Sequence, residues 1–149
     1  MSHKALASFS TSGHYYAHIS GDGKLRIWDV TTCILKQEFT PDFHLTSPYT
    51  ELCWISSSKS INLLSGSRKR KSSNAMLDTE NEHILLGSRS GDIFLYSVSS
   101  YSIVNTFKNG HNSCIRSISW CRNIPHQFFS CSEDQFIVQW NLDNTSVKK

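Results

Sequence analysis

An eleven-residue phrase is written three times in this chain, and the repetition limits the possible folds more sharply than any other feature of the sequence. It runs from Ser20 to Val30, from Ser88 to Val98 and from Ser132 to Leu142. Each copy is a tight turn followed by a short strand that ends in a large aromatic residue, Trp28, Tyr96 or Trp140. Tyr96 and Trp140 lie 44 residues apart, which is the length of one four-stranded propeller blade. Trp28 and Tyr96 are separated by 68 residues, too many by about half a blade, so an insertion is expected in the middle repeat.

Around each phrase the chain divides into short segments rich in β-branched and aromatic residues, bounded by turn residues and without helical periodicity. That is the pattern of an all-β architecture. In the first repeat the strands are expected at Leu6–Ser10, Tyr15–Ser20, Leu25–Asp29 and Ile34–Phe39. The second has Tyr49–Ile55, His83–Ser88, Ile93–Ser97 and Ile103–Phe107. The third has Ile115–Cys121, Gln127–Ser132 and Phe136–Asn141, with a fourth strand that has barely begun at Lys149. The expected fold is therefore an all-β partial propeller of about three four-stranded blades, the third incomplete. Blade one covers about residues 5–40, blade two about 44–108 and blade three about 110–149. Propellers ordinarily have four to eight blades, so three leave a ring open. The chain is expected to be part of a longer product.

The gaps from Phe9 to Ser20, Trp54 to Ser88 and Trp120 to Ser132 are 11, 34 and 12 residues, which places the insertion between the first two strands of blade two, at about residues 56–82. Rich in Ser, Asn, Lys and Arg, this segment has too little apolar surface to order itself and is expected to be a mobile loop. Arg68, Lys69, Arg70 and Lys71 lie within it. They account for all of the formal charge of +3, because the other eleven basic residues face twelve acidic ones. A run of four cations is a solvated loop, or else a nuclear-import signal or a contact to nucleic acid. Because neighbouring strands alternate in direction, the insertion emerges at the opposite end of the blade from the Asp-Gly turn.

The third repeat resembles a WD-repeat blade. Gly110-His111 precedes its first strand, Ser130 lies on the second, Asp134 in the following turn and Trp140 on the third. The resemblance implies that His111, Ser130, Asp134 and Trp140 form a structural tetrad, Asp to His to Ser to indole, which rigidifies a blade when every member is satisfied. A Ser-His-Asp set also suggests a hydrolase, but the hydroxyl is engaged by the indole in such a network and no Gly-x-Ser-x-Gly elbow is present. Blade one keeps Asp22 and Trp28 but has His18 in place of the serine. Blade two has Leu86, Ser90 and Tyr96 for serine, aspartate and tryptophan, with His44 one position out of register. These two blades are expected to be held by strand packing alone.

Several particular stretches carry a closer likeness: Glu38-Phe39-Thr40-Pro41 with His44-Leu45, Leu52-Cys53-Trp54, the basic insertion through Ser72, Leu85-Leu86-Gly87-Ser88, and the third blade from Gly110 to Asn141. Together they resemble the N-terminal part of the propeller in the Utp-five-like family of WD-repeat subunits of the small-subunit processome. What this resemblance implies is a non-catalytic nucleolar scaffold of the UtpA type, active in ribosomal DNA transcription and pre-ribosomal RNA processing. Its partners would be other UtpA subunits and pre-ribosomal RNA, with the nucleus and nucleolus as its location. The alternative is an adaptor of chromatin or ubiquitin-ligase complexes that holds a peptide on the face of the Asp-Gly turns.

No apolar run reaches membrane-spanning length and the N-terminus lacks a secretory apolar core, so an intracellular protein without a membrane partner is expected. Five cysteines with no Cys-x-x-Cys pair, each in or beside an apolar strand pattern, are expected to be buried reduced thiols. His3, His14, His83 and His126 have no ligand spacing and are expected at the surface or in turns. Tyr15, Tyr16, Tyr49 and Tyr101 are expected to pack between blades, since they are not interleaved with Arg or Lys as base-stacking residues would be. With no paired carboxylates, phosphate-binding loop or metal-ligand cluster, neither a cofactor nor a small-molecule substrate is expected.

Overall fold

The computed structural model describes residues 6–41, 47–56 and 82–143, together with the backbone of 147–148. These residues form three four-stranded antiparallel sheets and no helix. Sheet one holds β1 (Leu6–Phe9), β2 (Tyr15–Ile19), β3 (Leu25–Asp29) and β4 (Leu35–Phe39). Sheet two holds β5 (Tyr49–Ser56), β6 (Glu82–Ser88), β7 (Ile93–Ser97) and β8 (Ser102–Phe107). Sheet three holds β9 (Ile115–Trp120), β10 (Gln127–Ser132), β11 (Ile137–Asn141) and the two-residue β12 (Val147–Lys148). In each sheet the strands lie in chain order, so every connection joins neighbours. Contacts between sheets concentrate on their first strands, with β1 against β5 and β5 against β9.

The sheets stack face to face. Ala17, Leu25 and Ile27 of sheet one are buried against Leu52, Trp54, Ile84, Leu86 and Tyr96 of sheet two. From the other face of sheet two, Leu85, Ile93, Leu95 and Phe107 pack on Ile115, Phe128, Val138 and Trp140 of sheet three. Adjacent residues of one strand, such as Leu85 and Leu86, thus serve opposite cores, as a period of two requires. Sheet two is covered on both sides, and every residue of β6 is buried. The outer face of sheet one, in contrast, leaves Phe9 60% exposed, and that of sheet three leaves Ile137 69% exposed.

The turns repeat as faithfully as the strands. The backbone N–H of Gly23, Gly91 and Gln135 donates to the carbonyl of Ser20, Ser88 and Ser132 respectively. All three donors have left-handed backbone, with φ of 76°, 92° and 69°. Glycine is free to take this conformation, whereas Gln135 adopts it against the preference of an L side chain. A second left-handed position recurs after the aromatic residue, at Cys33 (φ 57°) and Tyr101 (φ 58°). This explains two departures from the sequence reading. Cys33 is exposed because its turn projects it outward, and Tyr101, 62% exposed at the equivalent turn, does not pack between blades.

Other side chains also differ from expectation. Cys121 is exposed while Cys114 is buried, and all five cysteines are free. His83 is buried, because it sits on the central strand β6 and not in a turn. Tyr49 is buried between sheets one and two, and Tyr15 stacks on Trp54 at 6.5 Å. Tyr16 lies instead on the open face of sheet one, 5.0 Å from Phe9.

Ser56 pairs with Glu82 at the far end of the β5–β6 ladder. The insertion therefore leaves from adjacent strand ends, on the same end of the sheet as the β7–β8 turn and away from the turn at Gly91-Asp92. Residues 57–81, with Arg68, Lys69, Arg70 and Lys71, lie outside the described residues, as does His44.

Candidate functional site

The loop between β8 and β9 carries His111, and the turn between β10 and β11 carries Asp134. His111 Nδ1 lies 2.9 Å from Asp134 Oδ2, and its Nε2 lies 2.7 Å from Ser130 Oγ. The same hydroxyl accepts the indole N–H of Trp140 at 2.7 Å. Ser130 has a single proton and two lone pairs, so after accepting from the indole it donates to Nε2, and Nδ1–H donates to the carboxylate. Asp134 also accepts the backbone N–H of Asn112 at 3.1 Å and of Phe136 at 3.0 Å. Burial acts to raise the pKa of Asp134, but these two N–H groups and the imidazole outweigh it and hold the carboxyl below its ordinary value.

The network belongs to the junction between blades as much as to blade three. Trp140 meets Phe107 of β8 edge-on at 5.6 Å and stacks on Phe128 at 5.9 Å. Its ring also covers Gly110 so closely that an added Cβ there would lie 2.3 Å from the indole Cη2. Ser130, with its hydroxyl held by both the indole and the imidazole, is 2% exposed. The four residues thus form one continuous hydrogen-bonded clamp from Asp134 to the indole of Trp140.

The sheets without this tetrad are not held by strand packing alone, contrary to the sequence expectation. In blade one, Arg26 pairs with Asp22 at 2.7 Å and Glu38 at 2.9 Å, and Lys24 reaches Glu38 at 2.7 Å. Arg26 also donates to Ser20, whose hydroxyl lies 3.0 Å from His18 Nε2. The Arg26 hydrogen bond pulls the Asp22 pKa down to about 2. In blade two, the Tyr96 hydroxyl donates to Gln37 Oε1 at 3.0 Å, and Gln37 donates to the Val98 carbonyl at 2.7 Å. Tyr96 thus ties β7 to β4 of the preceding blade, and burial pushes its phenol up to about 12.

At the insertion end, Glu82 is 1% exposed and accepts the backbone N–H of Ser12 at 3.2 Å. Arg122 donates to the Thr11 carbonyl at 3.1 Å, so the β1–β2 turn of blade one meets groups from both other blades. The stems of the insertion are therefore fixed at this end. Burial pushes the Cys53 thiol up to about 11, which leaves it protonated and inert. Among the described residues no group of His, Cys, Asp and Glu could hold a metal ion, and no helix is long and apolar enough to cross a membrane.

Four-stranded sheets stacked on their faces, with a His-Ser-Asp-Trp clamp at one junction, define a partial WD40 β-propeller. Residues 101–141 match the family "WD domain, G-beta repeat". The matched stretch runs from the outer strand of blade two through the third strand of blade three, so the sequence repeat straddles the junction that Trp140 closes. The chain is similar to human WD repeat-containing protein 43, with 32% identity over 90% of this chain and 20% of that protein. It is similar to rat WD repeat-containing protein 1, with 29% identity over 87% of this chain and 18% of that protein. Nuclear pore complex protein nup43 of Dictyostelium discoideum is 35% identical over 44% of this chain and 16% of its own length. The chain thus spans about a fifth or less of the length of these relatives.

Proposed function

We propose that the chain is a non-catalytic scaffold of the small-subunit processome, of UtpA type, which serves ribosomal DNA transcription and pre-ribosomal RNA processing in the nucleolus. The observation that carries this reading is the 32% identity to WD repeat-containing protein 43 across 90% of the chain, a span that includes an insertion bearing four consecutive cations. Four consecutive cations in the sequence, Arg68, Lys69, Arg70 and Lys71, suit contact with RNA phosphates, and the face-to-face sheets suit assembly with other subunits.

The test is to express the tagged chain and a variant with Arg68, Lys69, Arg70 and Lys71 changed to alanine, then measure nucleolar enrichment and crosslinked pre-ribosomal RNA. The parent chain is expected in nucleoli with RNA attached, with recovery falling as salt rises because phosphate contacts release counterions. The variant is expected to lose RNA recovery or nuclear entry while unfolding at the same temperature as the parent. A diffuse pool of parent chain, free of RNA and bound to a histone tail or degron peptide, would replace this reading with that of an adaptor.

A further inference from the structure

We infer that the β7–β8 turn of blade two and Lys36 of blade one together form a stacking site for a base of single-stranded RNA. Tyr101 supplies the ring, and Lys36 meets the neighbouring phosphate. This site rests on the RNA contact proposed above and extends it to residues outside the insertion.

A cavity of about 160 Å³ lies between β2, β3 and β4 of sheet one and the β7–β8 turn of sheet two. Buried Ile27 and Val98 line it together with Tyr15, and the exposed Lys36, Ser99 and Tyr101 surround its mouth. A whole small-molecule ligand usually occupies about 300–1,000 Å³, so this space admits one flat ring system while the rest of the occupant stays outside. The Val98 backbone N–H donates to the carbonyl of Glu82 at 3.2 Å. The cavity therefore adjoins the strand end from which the basic insertion departs, away from the Gly91-Asp92 turn.

Tyr101 is held ready for a flat partner. It is 62% exposed, with left-handed backbone at φ 58°, a conformation that a bulky side chain adopts only against its preference. Beneath it the turn is pinned, because the Ser97 hydroxyl accepts the Ser100 backbone N–H at 3.3 Å and lies 3.1 Å from the Ser99 hydroxyl. A ring fixed in this way loses little freedom when a base stacks on it. Such stacking is tolerant of sequence, since each base has a π face.

Charge favours a nucleotide over an apolar side chain. In blade one Lys24 and Arg26 pair with Glu38, whereas Lys36 forms no ion pair among the described residues. Asp29, the acidic residue of the adjoining β3–β4 turn, directs its Oδ1 to the backbone N–H groups of Thr31 and Thr32, each at 2.9 Å. Lys36 and Tyr101 are 65 residues apart in the chain, and the fold brings cation and ring to one mouth. That is the combination with which single-strand binders follow a phosphate backbone.

The experiment measures fluorescence anisotropy of a labelled oligoadenylate RNA octamer and amide shifts of the nitrogen-15-labelled chain, with hexaglutamate as a probe that carries charge but no base. The octamer is expected to bind saturably and to shift the amides of Lys36, Ser99, Ser100 and Tyr101, and hexaglutamate to leave them in place. Tyr101→Asn removes the ring with a residue that accepts left-handed backbone, and is expected to weaken octamer binding about five- to 150-fold, the range for loss of one base–aromatic stack. Tyr101→Phe is expected to bind like the parent. Lys36→Gln is expected to flatten the salt dependence by about 0.7 in log–log slope, the share of one phosphate on a single strand. Equal shifts from hexaglutamate would overturn the site and mark a docking surface for an acidic protein instead. An octamer that binds Tyr101→Asn as tightly as the parent would overturn the site while leaving the RNA contact of the insertion standing. A parent chain that binds no octamer would also overturn the site, and the pre-ribosomal RNA crosslinked in nucleoli would then decide the wider reading by itself.

Discussion

The indole of Trp140 and the hydroxyl of Ser130 meet at 2.7 Å in the interior of blade three, and this bond joins a hydrogen-bonded chain to an aromatic cluster. The hydroxyl is bonded on both sides, so its removal does more than delete one interaction. Ser130→Ala leaves the buried indole N–H and His111 Nε2 without a partner. Each unsatisfied buried group costs about 1–3 kcal/mol. Urea unfolding is expected to show a loss within or somewhat above that range, with an unchanged fold by circular dichroism. A loss below about 0.5 kcal/mol, typical of an ordinary surface substitution, would mean that the network carries little.

Gly110 is fixed by the neighbouring ring. With a Cβ 2.3 Å from Trp140 Cη2, Gly110→Ala must displace the indole or the loop, and overpacking of this kind costs about 1–3 kcal/mol. Gly21→Ala is the control, because nothing lies within 4 Å of the added carbon. Thermal unfolding of the two variants should separate them clearly, with only the first lowering the midpoint.

Gln135 offers a stabilising change. It holds φ of 69° where the other two blades place Gly23 and Gly91. Gln135→Gly relieves left-handed strain of about 1 kcal/mol, partly offset by the extra freedom glycine gains when unfolded. A small rise in the unfolding midpoint is expected, and a fall would show that the side chain contributes more than the strain costs.

Acid should loosen two blades. Asp134 and Asp22 both have folded pKa values below 3.8, Asp22 at about 2. A depressed carboxyl stabilises the fold fully above its unfolded pKa, and that stability is lost as pH falls through the folded pKa. Urea midpoints are therefore expected to drop on acidification below about pH 4. Asp134→Asn is expected to be weaker at neutral pH and to show a flatter acid limb. An acid limb identical to the parent's would remove Asp134 from the cause.

Much of this was legible because the chain compares itself with itself. Aligning Trp28, Tyr96 and Trp140 located the strands, and the unequal gap from Trp54 to Ser88 located the insertion, which the structure brackets between Ser56 and Glu82. The four tetrad positions were implied by the resemblance of the third repeat to a WD-repeat blade, which holds all four within one repeat. Interactions between repeats were not legible. Gln37 lies 59 residues before Tyr96, and nothing local marks it as the partner of a buried phenol. The charged network of blade one was missed for a related reason: Arg26 meets Glu38 only through the β3–β4 register. Cys33 and His83 were misplaced because a left-handed turn exposes the first and a central strand buries the second.

That the repeats stack through one aromatic face is tested most directly by nuclear Overhauser contacts between Trp140 and Phe107. These rings belong to different sheets and have centroids 5.6 Å apart. Strong cross-peaks between their ring protons are expected, together with a slowly exchanging Trp140 indole N–H. Missing cross-peaks and an indole proton that exchanges at the solvent rate would mean that the third sheet does not pack on the second, and the propeller reading would fail.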